Sequence, residues 1–349
     1  MSAPTTMGVE DLRVVLAGYL QRQLGATGPV EIADLDRIAV GWSHETWLFT
    51  AHWRDSAGTH ERGLCLRRDP GNALLRGTSQ LEEQYEVLRC LERTDVPAPI
   101  AYWYEEDPAV LGAPAIVMER VAGDCPSPWR RAGREFYAAA ADRGVLPLSF
   151  VDALASIHTA DWKTVGLDVL GVPSVGNDFA LREVAKWRAL ADESGHPGHP
   201  ILHDLIGWLE ANAPATEHLT LVHGAYRTGN ILVEDDRVSA VLDWELQVIG
   251  DPMYDVAYVL TELNREGTDL LSNVVPRALF FDRYQQQTGI KIDEERCRYY
   301  QLLYAMRSAV FWMSAAGLYA DGSNRDLRLA RTEWSVTVAL ERAATELGY

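Results

Sequence analysis

The sequence predicts an α+β protein, and three observations carry that prediction. Short apolar or aromatic runs broken by Gly, Pro and Asp crowd the first third, at Arg37–Phe49, Gly63–Arg68, Tyr102–Tyr104 and Ala115–Met118. Apolar residues at helical spacing dominate the remainder. One isolated hairpin pattern, Ile231–Val233 and Val238–Leu242, interrupts that helical part. With 349 residues, 47% hydrophobic and 23% charged, the chain can bury a large core as one large or two medium domains.

Charge and composition narrow the function classes. The formal net charge of -18, from 50 acidic and 32 basic residues, argues against nucleic acid or an anionic membrane surface as partner, and suits solubility equally. No charged-apolar-small signal opens the chain and no apolar run approaches ~20 residues, so the expectation is a cytoplasmic protein. Cys65, Cys90, Cys125 and Cys297 lack CxxC or Cys/His spacing, which points to reduced thiols rather than zinc or a disulfide framework.

Taken in order, Val9, Leu12, Val15, Leu16, Tyr19 and Leu20 place an amphipathic helix over 9–24. Arg37–Phe49 reads as strand, tight turn and strand, with Gly41 and Ser43 at the bend. After the strand Gly63–Arg68, a helix over 79–92 presents Leu81, Tyr85, Leu88 and Leu91 on one face. Val96-Pro97-Ala98-Pro99 ends it and starts extended chain, followed by a turn at Asp107-Pro108 and the strand Ala115–Met118.

Asp124–Leu148 changes composition: Pro126, Pro128 and the cluster Arg130, Arg131, Arg134 suggest a linker and a short helix. Phe150–His158 reads as a buried helix with His158 hydrogen-bonding at its end, and a further helix lies near Leu181–Leu190. His196, His199 and His203 are broken up by Pro197, Gly198 and Pro200, a poor metal spacing. Gly250-Asp251-Pro252 opens a helix through Leu263, with Asp251 and Asp255 suited to clamp the preceding loop. Tyr299, Tyr300, Tyr304, Arg307, Phe311, Trp312 and Tyr319 put aromatic surface on the C-terminal helices, suited to core or to a substrate cleft.

The chemistry concentrates at His223-Gly224-Ala225-Tyr226-Arg227-Thr228-Gly229-Asn230, the hairpin after it, and Asp243-Trp244-Glu245. Asn230 and Asp243 are equidistant from a turn centred between Asp236 and Arg237, so the expected register sets them side by side. An amide oxygen beside a carboxylate offers hard ligands suited to Mg²⁺. A capping Asn and a buried, hydrogen-bonded Asp would use the same residues.

His-Gly-x-x-x-x-x-Asn, a hairpin and then Asp resembles the catalytic and metal-binding segments of the kinase fold. The chain looks like the aminoglycoside phosphotransferase family. Asp-Trp-Glu, Gly250-Asp251-Pro252 and Asp255 are similar to its branch associated with acyl-CoA dehydrogenases. The resemblance runs from about Arg37 to about Leu327 and is most specific over 221–257. It implies a two-lobed, protein-kinase-like α+β fold: an N-terminal antiparallel sheet lobe over 1–118, a hinge over 119–123 and a helical lobe over 124–349, with ATP between the lobes. It also implies Asn230 and Asp243 as Mg²⁺ ligands, Arg67 as the phosphate-holding cation and Gly41 and Ser43 over the phosphates. Glu83 stands in as the partner of Arg67, because the expected position falls on Gln84. The backbone of Glu119 and Val121 would hold adenine, with Met118 and Leu232 lining its pocket. His223 would orient the loop, while Arg227 would stand near the γ-phosphoryl or in a salt bridge. Trp244, Glu245, Tyr254 and Arg307 would face the acceptor.

The family pattern is His-Gly-Asp, whose Asp accepts the proton of the attacking hydroxyl; here the base position is Ala225, and a methyl group takes no proton. The expected function is therefore an ATP- and Mg²⁺-dependent phosphotransferase acting on a small-molecule hydroxyl, hydroxyacyl-CoA or aminoglycoside-like, impaired as written. The alternative is a nucleotide-binding pseudokinase with a regulatory or scaffolding role.

Overall fold

A computed structural model describes residues 7–38, 44–71, 81–194, 199–265, 267–324 and 326–349. Gly41 and Ser43, assigned to a phosphate-covering turn, lie outside the described residues, as does His196. The chain separates into two compact units, Met1–Arg89 with Pro99–Val121, and Cys90–Ala98 with Ala122–Tyr349.

The first unit is built on a five-stranded antiparallel sheet. Its strands are β1 (Glu31–Ile38), β2 (Glu45–Asp55), β3 (Gly58–Arg68), β4 (Ala101–Glu105) and β5 (Ala115–Glu119), in the order β1-β2-β3-β5-β4. The helix Val9–Gln23 lays Leu12, Leu16, Tyr19 and Leu20 into the same core as Leu35, Trp47, Phe49, Leu64, Leu66 and Val117. Strand alternation decides the fate of two neighbouring arginines on β3. Arg68 shares the buried face with Leu64 and Leu66, where it meets Glu45 at 2.5 Å and donates to the Leu111 carbonyl at 2.7 Å. Arg67 points to the opposite, half-buried face, beside Cys65, and its Nη2 meets His44 Nδ1 at 3.1 Å.

One local reading of the sequence is corrected in this unit. The turn expected at Asp107-Pro108 is the start of a short helix, Pro108–Leu111, because Asp107 caps it through Ala109 N–H and Pro108 fits its first turn. The helix expected over 79–92 is present over Leu81–Leu91, burying Leu81, Val87, Leu88 and Leu91, while residues 79 and 80 lie outside the described residues.

The second unit is mostly helical. Its helices include Arg131–Asp142, Val145–Thr159, Asp178–Glu193, Pro200–Ala211, Met253–Leu260, Arg277–Thr288, Glu294–Ala320 and Thr332–Leu347. The buried-looking helix expected at 150–158 begins five residues earlier, since Pro147 falls in the first turn, where a missing N–H costs nothing. The helix after Gly250 ends at Leu260 and not at Leu263, giving way to a 3₁₀ turn at Glu262–Asn264. Tyr299, Tyr300 and Tyr304 on the 27-residue helix are core residues, stacked among Trp208, Phe179 and Tyr254.

Four short strands interrupt this unit: β6 (Thr220–Val222), β7 (Ile231–Glu234), β8 (Arg237–Val241) and β9 (Val248–Gly250), paired antiparallel as β6·β9 and β7·β8. They hold the two ends of the candidate site.

Candidate functional site

Residues 223–230 run from the end of β6 to the start of β7, and buried groups fasten almost every peptide of that loop. The carboxylate of Asp255, fully buried on the helix Met253–Leu260, accepts the N–H of His223 at 2.7 Å and of Gly224 at 2.8 Å. His158 donates Nε2–H to the same carboxylate at 3.2 Å, and its Nδ1 meets the Tyr284 hydroxyl at 2.7 Å. Burial opposes the charge on Asp255, yet the hydrogen bond from His158 and the backbone N–H of His223 hold its pKa below the ordinary value. Asp251, four residues earlier, is pushed upward by burial against the opposing pull of Met253 N–H and Arg296.

The His223 tautomer follows from its partners. Its Nε2 faces the Leu242 carbonyl at 2.9 Å and so carries the proton, while Nδ1 accepts Ala225 N–H at 3.2 Å. Burial pushes its pKa down, so the ring is neutral and bridges the loop to the residue before Asp243. Gly224 has φ +81°, and a Cβ there would sit 2.3 Å from the Leu246 carbonyl oxygen; only glycine fits. Its own carbonyl accepts from Arg307 at 2.5 Å and from the Tyr304 hydroxyl at 3.3 Å.

The loop's second half is tied as firmly. Tyr226 donates its hydroxyl to Phe150 O at 2.6 Å, Thr228 to Ser272 O at 2.7 Å, and Gly229 N–H reaches the Tyr137 hydroxyl at 3.2 Å. Asn230 Nδ2 donates to the Ala225 carbonyl at 2.9 Å. A carbonyl only accepts, so this contact orients the amide and leaves Oδ1 as the oxygen a cation could use.

The hairpin register differs from the sequence expectation. Asp235 and Asp236 have φ +48° and +60°, a two-residue turn with both centres left-handed, and a bulge falls between Leu232 and Val233. These shift the pairing by one, so Leu242 N–H donates to Asn230 O at 2.8 Å and Asp243 stands one residue beyond. Asp243 has φ +68°, in the left-handed region that residues with a Cβ seldom enter, aspartate and asparagine more readily than most.

The remaining expected residues divide. Trp244 is 2% exposed, stacked edge-on against His223 at 4.7 Å with its N–H on the Val241 carbonyl, and Tyr254 is 1% exposed with its hydroxyl on Glu183 at 3.1 Å. Both are packed into the unit and present no face to an acceptor, contrary to expectation. Arg307 donates to Gly224 O and lies among the rings of Trp187, Tyr258 and Tyr304. Glu245 and Asp243 are half-buried.

Arg227 forms no ion pair among the described residues. Its guanidinium lies 4.3 Å from the Trp129 ring and donates to Thr228 O at 3.1 Å. The Cys125 thiol, whose pKa burial raises, donates to the Gly229 carbonyl at 3.2 Å. Sequence reasoning passed over Trp129; a tryptophan between Pro128 and Arg130-Arg131, where composition breaks, is the signal that was available.

In the first unit, Glu119 donates its N–H to Ile100 O at 2.8 Å, which leaves its carbonyl as the group available to a base edge. Met118 is buried opposite Cys65, and Gln84 is buried while Glu83 is half-buried. In the second, Leu232 is half-buried opposite Ala240.

No group of three or more His, Cys, Asp or Glu able to hold a metal occurs among the described residues. A cation here would rely on Asn230 Oδ1, the Asp243 carboxylate, water and ligand oxygens. Mg²⁺ accepts such a sparse all-oxygen set, whereas zinc wants more nitrogen or sulfur.

Comparison with known proteins follows the same lines. A family model described as the phosphotransferase enzyme family matches residues 34–300. Acyl-CoA dehydrogenase family member 10 of Mus musculus is 29% identical over 269 residues, 73% of this chain and 24% of that protein. Acyl-CoA dehydrogenase family member 11 of Homo sapiens is 30% identical over 251 residues, 70% of this chain and 30% of that protein. The chain thus spans about a quarter of the length of the first curated relatives it matches. A Ralstonia eutropha structure assigned to the aminoglycoside phosphotransferases superposes with a TM-score of 0.68 at 23% identity, covering 95% of this chain and 96% of that one. A thermostable mutant aminoglycoside phosphotransferase, in ternary complex with ADP and hygromycin B, gives 0.56 at 19% identity, covering 95% and 97%. These two likenesses establish the kinase-like fold.

Proposed function

The chain belongs to the phosphotransferase enzyme family, and we propose that it binds ATP with Mg²⁺ and moves the γ-phosphoryl group to a hydroxyl of a small molecule. The observation that carries the reading is the pairing of an oriented amide oxygen on Asn230 with a carboxylate, Asp243, held in the left-handed region at the open end of a bulged hairpin. Backbone strain of this kind costs about 1–3 kcal/mol and gathers at sites where geometry matters more than stability. Asn230 and Asp243 would hold Mg²⁺, which would supply positive charge against the negative charge developing on the phosphates. Arg67 would add a cation for the phosphates. Val121 N–H, which meets no acceptor among the described residues, and the Glu119 carbonyl would serve the adenine edge.

In the transfer itself the acceptor oxygen forms the new O–P bond, the bond to the ADP oxygen breaks and the hydroxyl proton leaves. Ala225 is 6% exposed and offers only a methyl group, so that proton would go to solvent instead of to a side chain. The loop that would present a base is nonetheless fully assembled, through Asp255, His223, Asn230 and Arg307. Hydroxyacyl-CoA is the acceptor class we favour. The relatives named as acyl-CoA dehydrogenases support it, as does the basic cluster Arg130, Arg131 and Arg134 next to Trp129, in which Arg131 also meets Glu135 at 2.7 Å.

Ala225 also favours a second reading, a nucleotide-binding pseudokinase. Calorimetry with ATP separates metal assignment from mere nucleotide affinity: binding should depend on Mg²⁺ and disappear in Asp243→Ala. Equal affinity with and without Mg²⁺ would remove Asn230 and Asp243 from the metal site.

A further inference from the structure

We propose that Trp129 is a positioning residue that presets Arg227 to receive phosphate oxygens. The inference rests on the phosphotransferase reading and names a recognition element within that site.

Arg227 is unusual in its surroundings. The chain carries 50 acidic residues against 32 basic ones, and arginines across the second unit, among them Arg143, Arg182, Arg188, Arg283 and Arg342, sit on carboxylates. Arg227 instead lies 4.3 Å from the indole of Trp129, and its one acceptor among the described residues is the Thr228 carbonyl. A Cβ on Gly229 would come within 2.8 Å of Arg227 Nη1 and 3.0 Å of Pro128 Cδ, so the guanidinium runs in a slot that glycine keeps open.

Trp129 is itself braced. Its carbonyl accepts from Arg134 at 2.9 Å, Arg130 N–H reaches Ser127 O at 3.1 Å, and a Cβ on Gly133 would fall 2.0 Å from Ser127 O, so the helix Arg131–Asp142 abuts the loop directly. The ring is nevertheless 51% exposed, a large apolar surface given to solvent on one side and to a cation on the other. Stacking holds a guanidinium in place without consuming its N–H donors, whereas a carboxylate would consume two. The donors not given to Thr228 stay available to an incoming anion, and the entropy of ordering a long side chain is already spent before that anion arrives. Gly229, whose Cβ would meet the Arg227 guanidinium, directly precedes Asn230, so the preset cation stands beside the proposed metal-binding residue, where phosphate oxygens would gather.

The anion is a phosphate group, either the terminal phosphate of ATP or an anionic group on the acceptor. Titration calorimetry on the full chain distinguishes them with MgATP, with MgADP and with orthophosphate added to the complex of Mg²⁺ and a non-hydrolysable ATP analogue. Trp129→Ala, Trp129→Leu and Arg227→Ala should leave MgADP binding intact and weaken one of the two phosphate arms by about tenfold, the loss expected when a charge-assisted hydrogen bond is no longer preset. Trp129→Phe, which keeps a π face, should stay within about threefold of the parent. A loss confined to MgATP assigns the terminal phosphate; a loss confined to orthophosphate assigns the acceptor side. Trp129→Leu binding like the parent in both arms would overturn the stacking role, and Arg227→Ala doing so would overturn the phosphate role. A parent protein that binds no MgADP would instead bring down the phosphotransferase reading, and this inference with it.

Discussion

The two compact units offer their candidate ligand contacts in opposite ways. In the first, Arg67 sits on a strand end and the groups proposed for adenine are the Glu119 carbonyl and Val121 N–H, all supplied by β-strand register. In the second, the peptides of His223, Gly224, Ala225 and Gly229 are held by particular side chains: Asp255, Arg307, Tyr304, Asn230 and Tyr137. A site built by side chains is written in the sequence and fails by single substitutions. A site built by main chain leaves little trace in residue identity and tolerates side-chain change.

The largest effect expected from this contrast is at Ala225. Because its loop is assembled without a base, Ala225→Asp should need no rebuilding, and it should raise phosphorylation of the right acceptor by roughly 10²–10⁴-fold while ATP affinity stays nearly constant. Steady-state rates of the two forms against hydroxyacyl-CoAs and aminoglycosides measure it. No gain on any acceptor, with nucleotide still bound, would move the balance to the pseudokinase.

Asp255 tests the side-chain side of the comparison. Asp255→Ala strips the acceptor from two buried N–H groups and from His158, and should cost about 3–5 kcal/mol in a denaturant titration. The same pair predicts acid sensitivity. His223 has a lowered pKa, so stability should begin to fall as pH drops below 6.5, its ordinary value. The depressed pKa of Asp255 contributes stability that is complete above 3.8 and is lost as pH falls further, through the folded value. Unfolding midpoints that stay flat between pH 7 and pH 4 would contradict the His223 assignment, and midpoints that stay flat as pH falls below 3.8 would contradict that of Asp255.

Val121→Pro and Glu119→Ala test the main-chain side. Removing the Val121 N–H should weaken ATP binding by about tenfold, the worth of one hydrogen bond with its partner stranded, while Glu119→Ala should change it by about twofold or less. Comparable losses from both would show that the side chain of Glu119 takes part.

What the sequence made legible follows the same division. The fold was readable because alternation and helical spacing are long-range, redundant signals, and the loop was readable because His223, Gly224, Asn230 and Asp255 each make a contact that depends on their residue type. The facing of single residues was not. Trp244 and Tyr254 read as ligand contacts from their place in the motif, but their large apolar surfaces are buried against His223, Phe179 and Tyr304. The one-residue shift of Asp243 against Asn230 came from a bulge and a two-residue turn, which depend on backbone torsions that the Asp235-Asp236 pair permits but does not announce.

Asp243 yields the smallest expected effect and the sharpest one. If the residue were only a structural Asp, replacing it would lower stability. If it is held left-handed for its carboxylate, the fold carries a strain that glycine would not feel. Asp243→Gly should therefore raise the unfolding free energy by about 1 kcal/mol while removing Mg²⁺-dependent ATP binding. Asp243→Ala separates the two contributions, since alanine lacks the carboxylate yet keeps the Cβ that makes φ +68° costly. It should lose the same binding without gaining the stability. Equal stability of the glycine and alanine forms would mean that the torsion at 243 is not strained, and the argument from conformation to metal site would have to rest on Asn230 alone.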